Sequence, residues 1–328
     1  VVASDRATGV QGDAFMLVRR ASLHQTGGHA RPPAKRARPV SVRHSDRRFR
    51  RRTTAAVILS AMTMPGGEAQ PNPDRPIPST PGHQTFDRKI AVVTGAASGI
   101  GYTVAQHLAE RGARIVGIDL NERIRELIAE LPGSGHLGIV KNLTDPAAAT
   151  EVITETVEHV GVPHILVNSA GLALLDPAVD VTPARWQLTL DVNLSATFYM
   201  AQAAGRVMLE AGYGRIINIA SQAAVIGLDQ HAAYCASKAA VVGLTHVLSL
   251  EWARHGITVN AVSPTVVETP LGKAAWAGEK GEKAKADIPV GRFAQPEEVA
   301  ALIAFLAGDD AAMITGSNYL IDGGRTTV

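Results

Sequence analysis

Apolar residues are unevenly distributed along this chain. From Asp87 onward, short continuous apolar runs alternate with longer stretches in which apolar positions recur every third or fourth residue. The runs "KIAVVTG", "ARIVGIDL", "GHLGIVKNL" and "HILVNSAG" read as strands buried on both faces, since a half-exposed strand would alternate polar and apolar positions. Helical periods follow them. "GYTVAQHLAERG" stops on Gly112, "NERIRELIAELPG" comes next, and Asp145-Pro146 opens a third helix as N-cap and first-turn proline. "TPARWQLTLDVNLSATFYMAQAAGRVML" reads as one long helix capped by Thr182-Pro183. The alternation then continues with strand "GRIINIAS", a helix containing Tyr234 and Lys238, strand "ITVNAVSP", helix "PEEVAALIAFLAG" and a last strand "SNYLIDG". Strict alternation predicts an α/β fold over residues 86–328, a single doubly wound, Rossmann-like parallel sheet with helices on both faces.

Residues 1–85 have no sustained apolar period. Segments such as "RPPAKRARPVSVRHSDRRFRRR" and "PGGEAQPNPDRPIPSTPG" cannot bury enough surface to fold alone. A nucleic-acid or lipid-binding tail, a transit peptide and a twin-arginine signal at "RRFRRRTTAAVILSAM" are the functional alternatives. The apolar run 55–62 is too short to span a bilayer. The expectation is a disordered basic, Pro-rich leader or a segment foreign to the native protein, with Met62 or Met64 as natural starts before the fold.

Charge follows the same division. Residues 1–64 carry 13 Lys+Arg against 3 Asp+Glu, and the other 264 residues carry 19 against 27. The overall charge of +2 therefore hides a mildly acidic domain that offers no obvious nucleic-acid surface. The single cysteine, Cys235, excludes an intramolecular disulfide framework and a Cys-rich metal site and suits a reducing, cytoplasmic location. No metal, nucleic-acid or membrane partner is expected.

"TGAASGIG", 94–101, falls in the first strand–helix turn, where a doubly wound sheet binds a dinucleotide pyrophosphate. Gly95 would allow the tight turn, Gly99 the approach of backbone to phosphate, and Gly101 close helix–strand packing. The spacing is G-x-x-x-G-x-G, so the generic G-x-G-x-x-G fingerprint is not met. Asp119 ends the second strand about twenty residues on, where a carboxylate can hold ribose hydroxyls and repel a 2′-phosphate. No Arg stands at Ala97 or Ser98 to attract that phosphate. NAD is the expected cofactor. Asp119 also precedes a helix and could serve as its N-cap.

Taken in order, "TGAASGIG", "NSAG" at 168–171, Asn193 in "DVNL", Ser221 in "NIAS", "YCASK" at 234–238 and "VNAVSP" at 259–264 make the chain from Asp87 onward resemble the classical short-chain dehydrogenase/reductases, and among them the polyol dehydrogenases and L-xylulose reductases. The resemblance implies a catalytic set of Asn193, Ser221, Tyr234 and Lys238. Tyr234 and Lys238 share a helix face at i and i+4. A free phenol titrates near 10, too high for a base at neutral pH, and a neighbouring ammonium lowers it. Ser221 would hold the substrate oxygen, Lys238 the nicotinamide ribose, and Asn193 would kink the long helix and anchor a water linking Lys238 to solvent. Cofactor contacts are expected from Gly95, Ser98, Gly99, Ile100 and Gly101, from Asp119, Asn142 and Leu143, from Asn168, Ala170 and Gly171, and from Tyr234, Lys238, Pro264, Val267 and Thr269.

Three departures stand out: Ser169 where the family usually has Asn, Thr265 where Gly usually follows Pro264, and Asn142 where Asp commonly meets adenine. The substrate pocket is expected from 171–178, 222–231 and a lid at about 270–290, with Ser221, Gln222, His231 and Tyr234 touching substrate and Trp276 covering it or pinning the lid. The expected activity is NAD-dependent oxidation of a small polyol or sugar by a homotetramer. A 3-oxoacyl-carrier-protein reductase is the alternative, disfavoured by Asp119. A non-catalytic binding protein is disfavoured by the intact Ser221–Tyr234–Lys238 set.

Overall fold

The computed structural model describes residues 86–328, and the expectations for residues 1–85 lie outside the described residues. β1 (Ile90–Thr94), α1 (Gly99–Ala109), β2 (Arg114–Asp119), α2 (Ile124–Ala129), β3 (Leu137–Val140), α3 (Pro146–His159) and β4 (Ile165–Asn168) form the first half. α4 (Pro183–Leu190) and α5 (Ala196–Ala211) lead into β5 (Gly214–Ile219), α6 (Ala232–Trp252) and β6 (Ile257–Pro264). α7 (Pro270–Ala275), α8 (Glu279–Ala286), α9 (Pro296–Ala307) and β7 (Asn318–Ile321) complete the described chain.

The seven strands make one parallel sheet in the order β3-β2-β1-β4-β5-β6-β7. Order reverses between β1 and β4, and such a switch point opens a crevice at the carboxyl ends of the strands. Alternate residues of each strand enter opposite cores. Ala91 and Val93 of β1 pack with Val104 and Leu108 of α1 and Ile303 of α9. Ile90 and Val92 pack with Val152 of α3, Met200 and Met208 of α5, and Leu248 of α6. Burial on both faces explains why the strands read as unbroken apolar runs.

Helix starts follow the sequence signals. The Asp145 carboxylate accepts from Ala147 N at 2.9 Å, and the Thr182 hydroxyl accepts from Arg185 N at 3.3 Å. The long helix expected from Thr182 is interrupted by a π-helical turn, Asp191–Ser195, separating α4 from α5. This turn inserts one extra residue per loop of backbone, a device that re-aims side chains at functional sites. Asn193 sits inside it, fully buried. The expected lid is two short helices, α7 and α8.

Candidate active site

A cavity of about 520 Å³ opens above the carboxyl ends of the strands. Its floor is the turn from β1 to α1. Gly95 and Gly99 have φ of +67° and +55°, conformations that glycine adopts without strain. A Cβ on Gly95 would stand 2.9 Å from the Ala170 backbone, and one on Gly101 would stand 2.3 Å from the Gly95 carbonyl oxygen. The Thr94 hydroxyl ties this turn to the end of β4, accepting from Ser169 N and Ala170 N at 3.0 Å each. The cradle is thus shaped by glycines, two of which would push an added Cβ onto backbone, and it opens onto the N-terminus of α1. Backbone that can approach closely, beside a helix N-terminus, fits a dinucleotide pyrophosphate.

Asp119 lines the same cavity from the end of β2. Its carboxylate accepts from Ala97 N and from Asn121 N, both at 3.0 Å, so it braces the glycine turn as well as facing the cavity. Asn142 and Leu143 line it from beyond β3, and the Asn142 side-chain oxygen accepts from the Thr144 hydroxyl at 2.9 Å.

Ser221, Tyr234 and Lys238 meet at the other end, supplied by the end of β5 and the first two turns of α6. The Ser221 hydroxyl lies near enough to the Tyr234 phenol to favour its ionised form. Lys238 is 4% exposed, and its ammonium donates to the Ile219 carbonyl at 2.7 Å. Burial pulls Lys238 down to about 8 and pushes the Tyr234 phenol up, while the Ser221 hydroxyl draws the phenol back down. The sequence led us to expect the ammonium to dominate, but desolvation acts first on both groups. A lowered phenol therefore has to draw on a second positive charge, such as that of oxidised nicotinamide. Asn193 is held on both sides: its oxygen accepts from Leu172 N at 2.8 Å, and its amide donates to Leu172 O at 2.9 Å and to the Ser237 hydroxyl at 3.0 Å. It locks the segment after β4 onto α6.

Of the residues expected at the cofactor, all but Asn168 line the cavity. Asn168 points into the core instead, donating to the Asn218 side chain at 2.9 Å, which in turn donates to the Thr245 hydroxyl at 3.0 Å. Gln222 and His231 are also absent from the lining. Gln222 is buried with its side-chain oxygen unpartnered. The His231 ring lies edge-on to Tyr234, centroids 5.8 Å apart. The Trp276 ring, in the expected lid, meets Phe293 at 6.3 Å, with the Lys280 ammonium 4.6 Å above it. The Thr269 hydroxyl, besides lining the cavity, accepts from Gly272 N at 3.0 Å and caps α7. Sequence reasoning missed Leu120, Lys141, Val192 and Thr265 as lining residues. Thr265 had a signal, since it replaces the small residue expected after Pro264; the others had none.

These features can be set beside known proteins. Residues 95–326 match a family model described as enoyl-(acyl carrier protein) reductase. The chain is 50% identical over 238 residues to an NAD-dependent glycerol dehydrogenase of Listeria innocua, covering 73% of this chain and 94% of the relative. It is 51% identical over 244 residues to a D-threitol dehydrogenase of Mycolicibacterium smegmatis, covering 74% and 94%. A crystal structure from Beutenbergia cavernae, provisionally assigned as an NAD(P)-dependent gluconate 5-dehydrogenase with NADP at low occupancy, superposes with a TM-score of 0.72 at 37% identity, covering 75% of this chain and 100% of that one. With the family model matched over residues 95–326 and relatives 50% and 51% identical across most of their own length, the chain belongs to the short-chain dehydrogenase/reductase family.

Proposed function

We propose that the protein is an NAD-dependent polyol dehydrogenase that oxidises a secondary hydroxyl of a small, neutral polyol to a ketone. The observation that carries this reading is the convergence of Ser221, Tyr234 and the buried Lys238 at one end of a glycine-cradled cavity. Ser221 holds the substrate oxygen, and Tyr234 takes its proton. NAD, when bound, supplies the acceptor for the hydride leaving carbon. Lys238 stabilises the phenolate by charge, and its fixed bond to Ile219 O keeps the ammonium in place. Asn193 positions Leu172 and the turn of α6 that carries Ser237.

Cofactor and substrate choice follow from charge. Asp119 offers a carboxylate where a 2′-phosphate would stand, which favours NAD. Among the described lining residues only Asp119, Lys141 and Lys238 are charged. Lys141 is ion-paired with Glu151 beyond β3, and Lys238 is held by a carbonyl. Among the described lining residues no cation is left at the Tyr234 end to receive a carboxylate, which supports a neutral polyol over a sugar acid. The names of the glycerol and threitol dehydrogenases agree with that.

The assembly and location are part of the same proposal. α6 exposes Val247 and Leu250, at 51% and 82% of their surface, on the face away from the cavity. A second copy would cover them, and we take the enzyme to be a homotetramer, a point that light scattering checks. The single free Cys235 supports a cytoplasmic site.

The test is absorbance of reduced nicotinamide with NAD or NADP, using glycerol, threitol and larger polyols beside gluconate. NAD reduction by a neutral polyol and none by gluconate is expected. Turnover confined to sugar acids or to 3-oxoacyl substrates would overturn the assignment.

A further inference from the structure

The two segments expected to shape the substrate side are tied together outside the cavity, and Asp176 makes the tie. The Asp176 backbone N–H donates to the Gln230 carbonyl at 3.1 Å, and Asp176 forms an isolated parallel bridge with His231. Its carboxylate accepts from Arg185 Nε, in the first turn of α4, at 2.5 Å. The pair is partly buried, the carboxylate side chain being 25% exposed. Arg185 is fixed in turn, since its carbonyl accepts from the Thr189 hydroxyl at 2.9 Å and its N–H is capped by Thr182.

On the other side of the tie the backbone is strained. Gln230 has φ +62°, a left-handed conformation uncommon outside glycine, and surrounding contacts must hold it there. The residue it leads into begins the catalytic helix. The His231 carbonyl accepts from Cys235 N at 2.7 Å, and the His231 ring abuts Tyr234. Neither Asp176 nor Arg185 lines the cavity.

The geometry points to Asp176 as a positioning residue: its ion pair with Arg185 fixes the segment after β4, and its backbone hydrogen bond to the Gln230 carbonyl, beside the bridge to His231, carries that constraint to the first turn of α6. Tyr234, against which the His231 ring packs, is thereby set towards the substrate. The inference rests on reading the cavity as a dehydrogenase site. An ion pair this open to solvent adds little to stability. The consequence here is geometric, and small displacements of a reacting group are costly.

Asp176→Ala is expected to raise the polyol KM about tenfold or to lower kcat about as much, as misplacement without loss of a reacting group should, while leaving the KM for NAD unchanged. Asp176→Asn, which keeps the shape but loses the charge, should fall between. Arg185→Ala should reproduce Asp176→Ala, and the double variant should be no worse than either, because both act through one contact. Unchanged polyol kinetics, or an equal shift in both KM values, would overturn the inference. A second arm needs no turnover: hydrogen exchange measured with NADH bound. Protection should fall together in 172–178 and 226–233 of Asp176→Ala and stay unchanged in β5. A fall confined to 172–178 would refute transmission to α6. A wild-type protein inert towards every polyol would sink the substrate reading, and exchange alone would then decide the role of Asp176.

Discussion

The two edges of the sheet carry similar groups to opposite ends. At the carboxyl edge Tyr234 stands beside Lys238. At the amino edge Tyr213 stands beside Lys89, 3.9 Å from its ring centroid, and Arg215, at 4.4 Å. Burial raises both phenols, Tyr213 up to about 12. A displaced phenol pKa therefore does not mark the site; what the neighbours leave free does. At the amino edge every partner is another protein group. Arg215, 5% exposed, donates to the carbonyls of Gly214, Gly256 and Gly308 and to Asp309, and the Tyr213 hydroxyl donates to Asp309 at 3.0 Å. Helices end there, and their carbonyls attract a cation. Helices begin at the carboxyl edge, where N–H groups and glycines face a cavity instead of a side chain.

The sharpest break of this comparison is a matched pair of substitutions. Tyr234→Phe should lower kcat by about 10²–10⁴-fold, the range for loss of a general acid–base group. Tyr213→Phe should leave kcat unchanged, as reduced-nicotinamide absorbance would show. Equal losses would mean that the two edges are not functionally distinct. Next in size, Gly101→Ala forces a Cβ onto the Gly95 carbonyl. It should cost about 1–3 kcal/mol as overpacking and abolish NADH binding in a fluorescence titration. Arg215→Ala strips buried carbonyls of their donor and should cost about 1–3 kcal/mol in urea unfolding, with NADH affinity retained.

Titration reaches both edges as well, and the pH dependence it causes vanishes within the neutral range. His164 is held below its ordinary 6.5 by burial and then by Lys89. Lys238 lies at about 8, against 10.5 when unfolded. In each case the unfolded chain binds a proton that the native state refuses, so stability rises with pH across the gap. For His164 the contribution is complete above pH 6.5 and is lost as pH falls. For Lys238 it grows from about pH 8 to 10.5. Urea midpoints should show the acid-side slope reduced in His164→Asn only and the alkaline slope reduced in Lys238→Met only.

Most of the fold was legible because a parallel sheet buried on both faces leaves unbroken apolar runs, and its helices carry Asp145-Pro146 and Thr182-Pro183 at their starts. The site was legible wherever chemistry restricts the residue: glycines where a Cβ collides, a carboxylate at the end of β2, and a phenol and an ammonium one turn apart. Ladder ends were hidden. Ile90 N donates to the His164 ring at 3.2 Å and Ile115 N to the His136 ring at 3.0 Å, partners 74 and 21 residues away. Nothing local marks them.

The sequence by itself therefore determined the strand order along the chain, the glycine turn and the polar groups that meet at one end of the cavity, since period and residue chemistry are local properties. Tertiary structure decided the rest. It inserted the π turn around Asn193, turned Asn168 into the core with Asn218 and Thr245, and drew Asp176 onto Gln230 and Arg185. It also set the two phenols, because desolvation depends on what packs around a group, and that is known only once distant segments have come together.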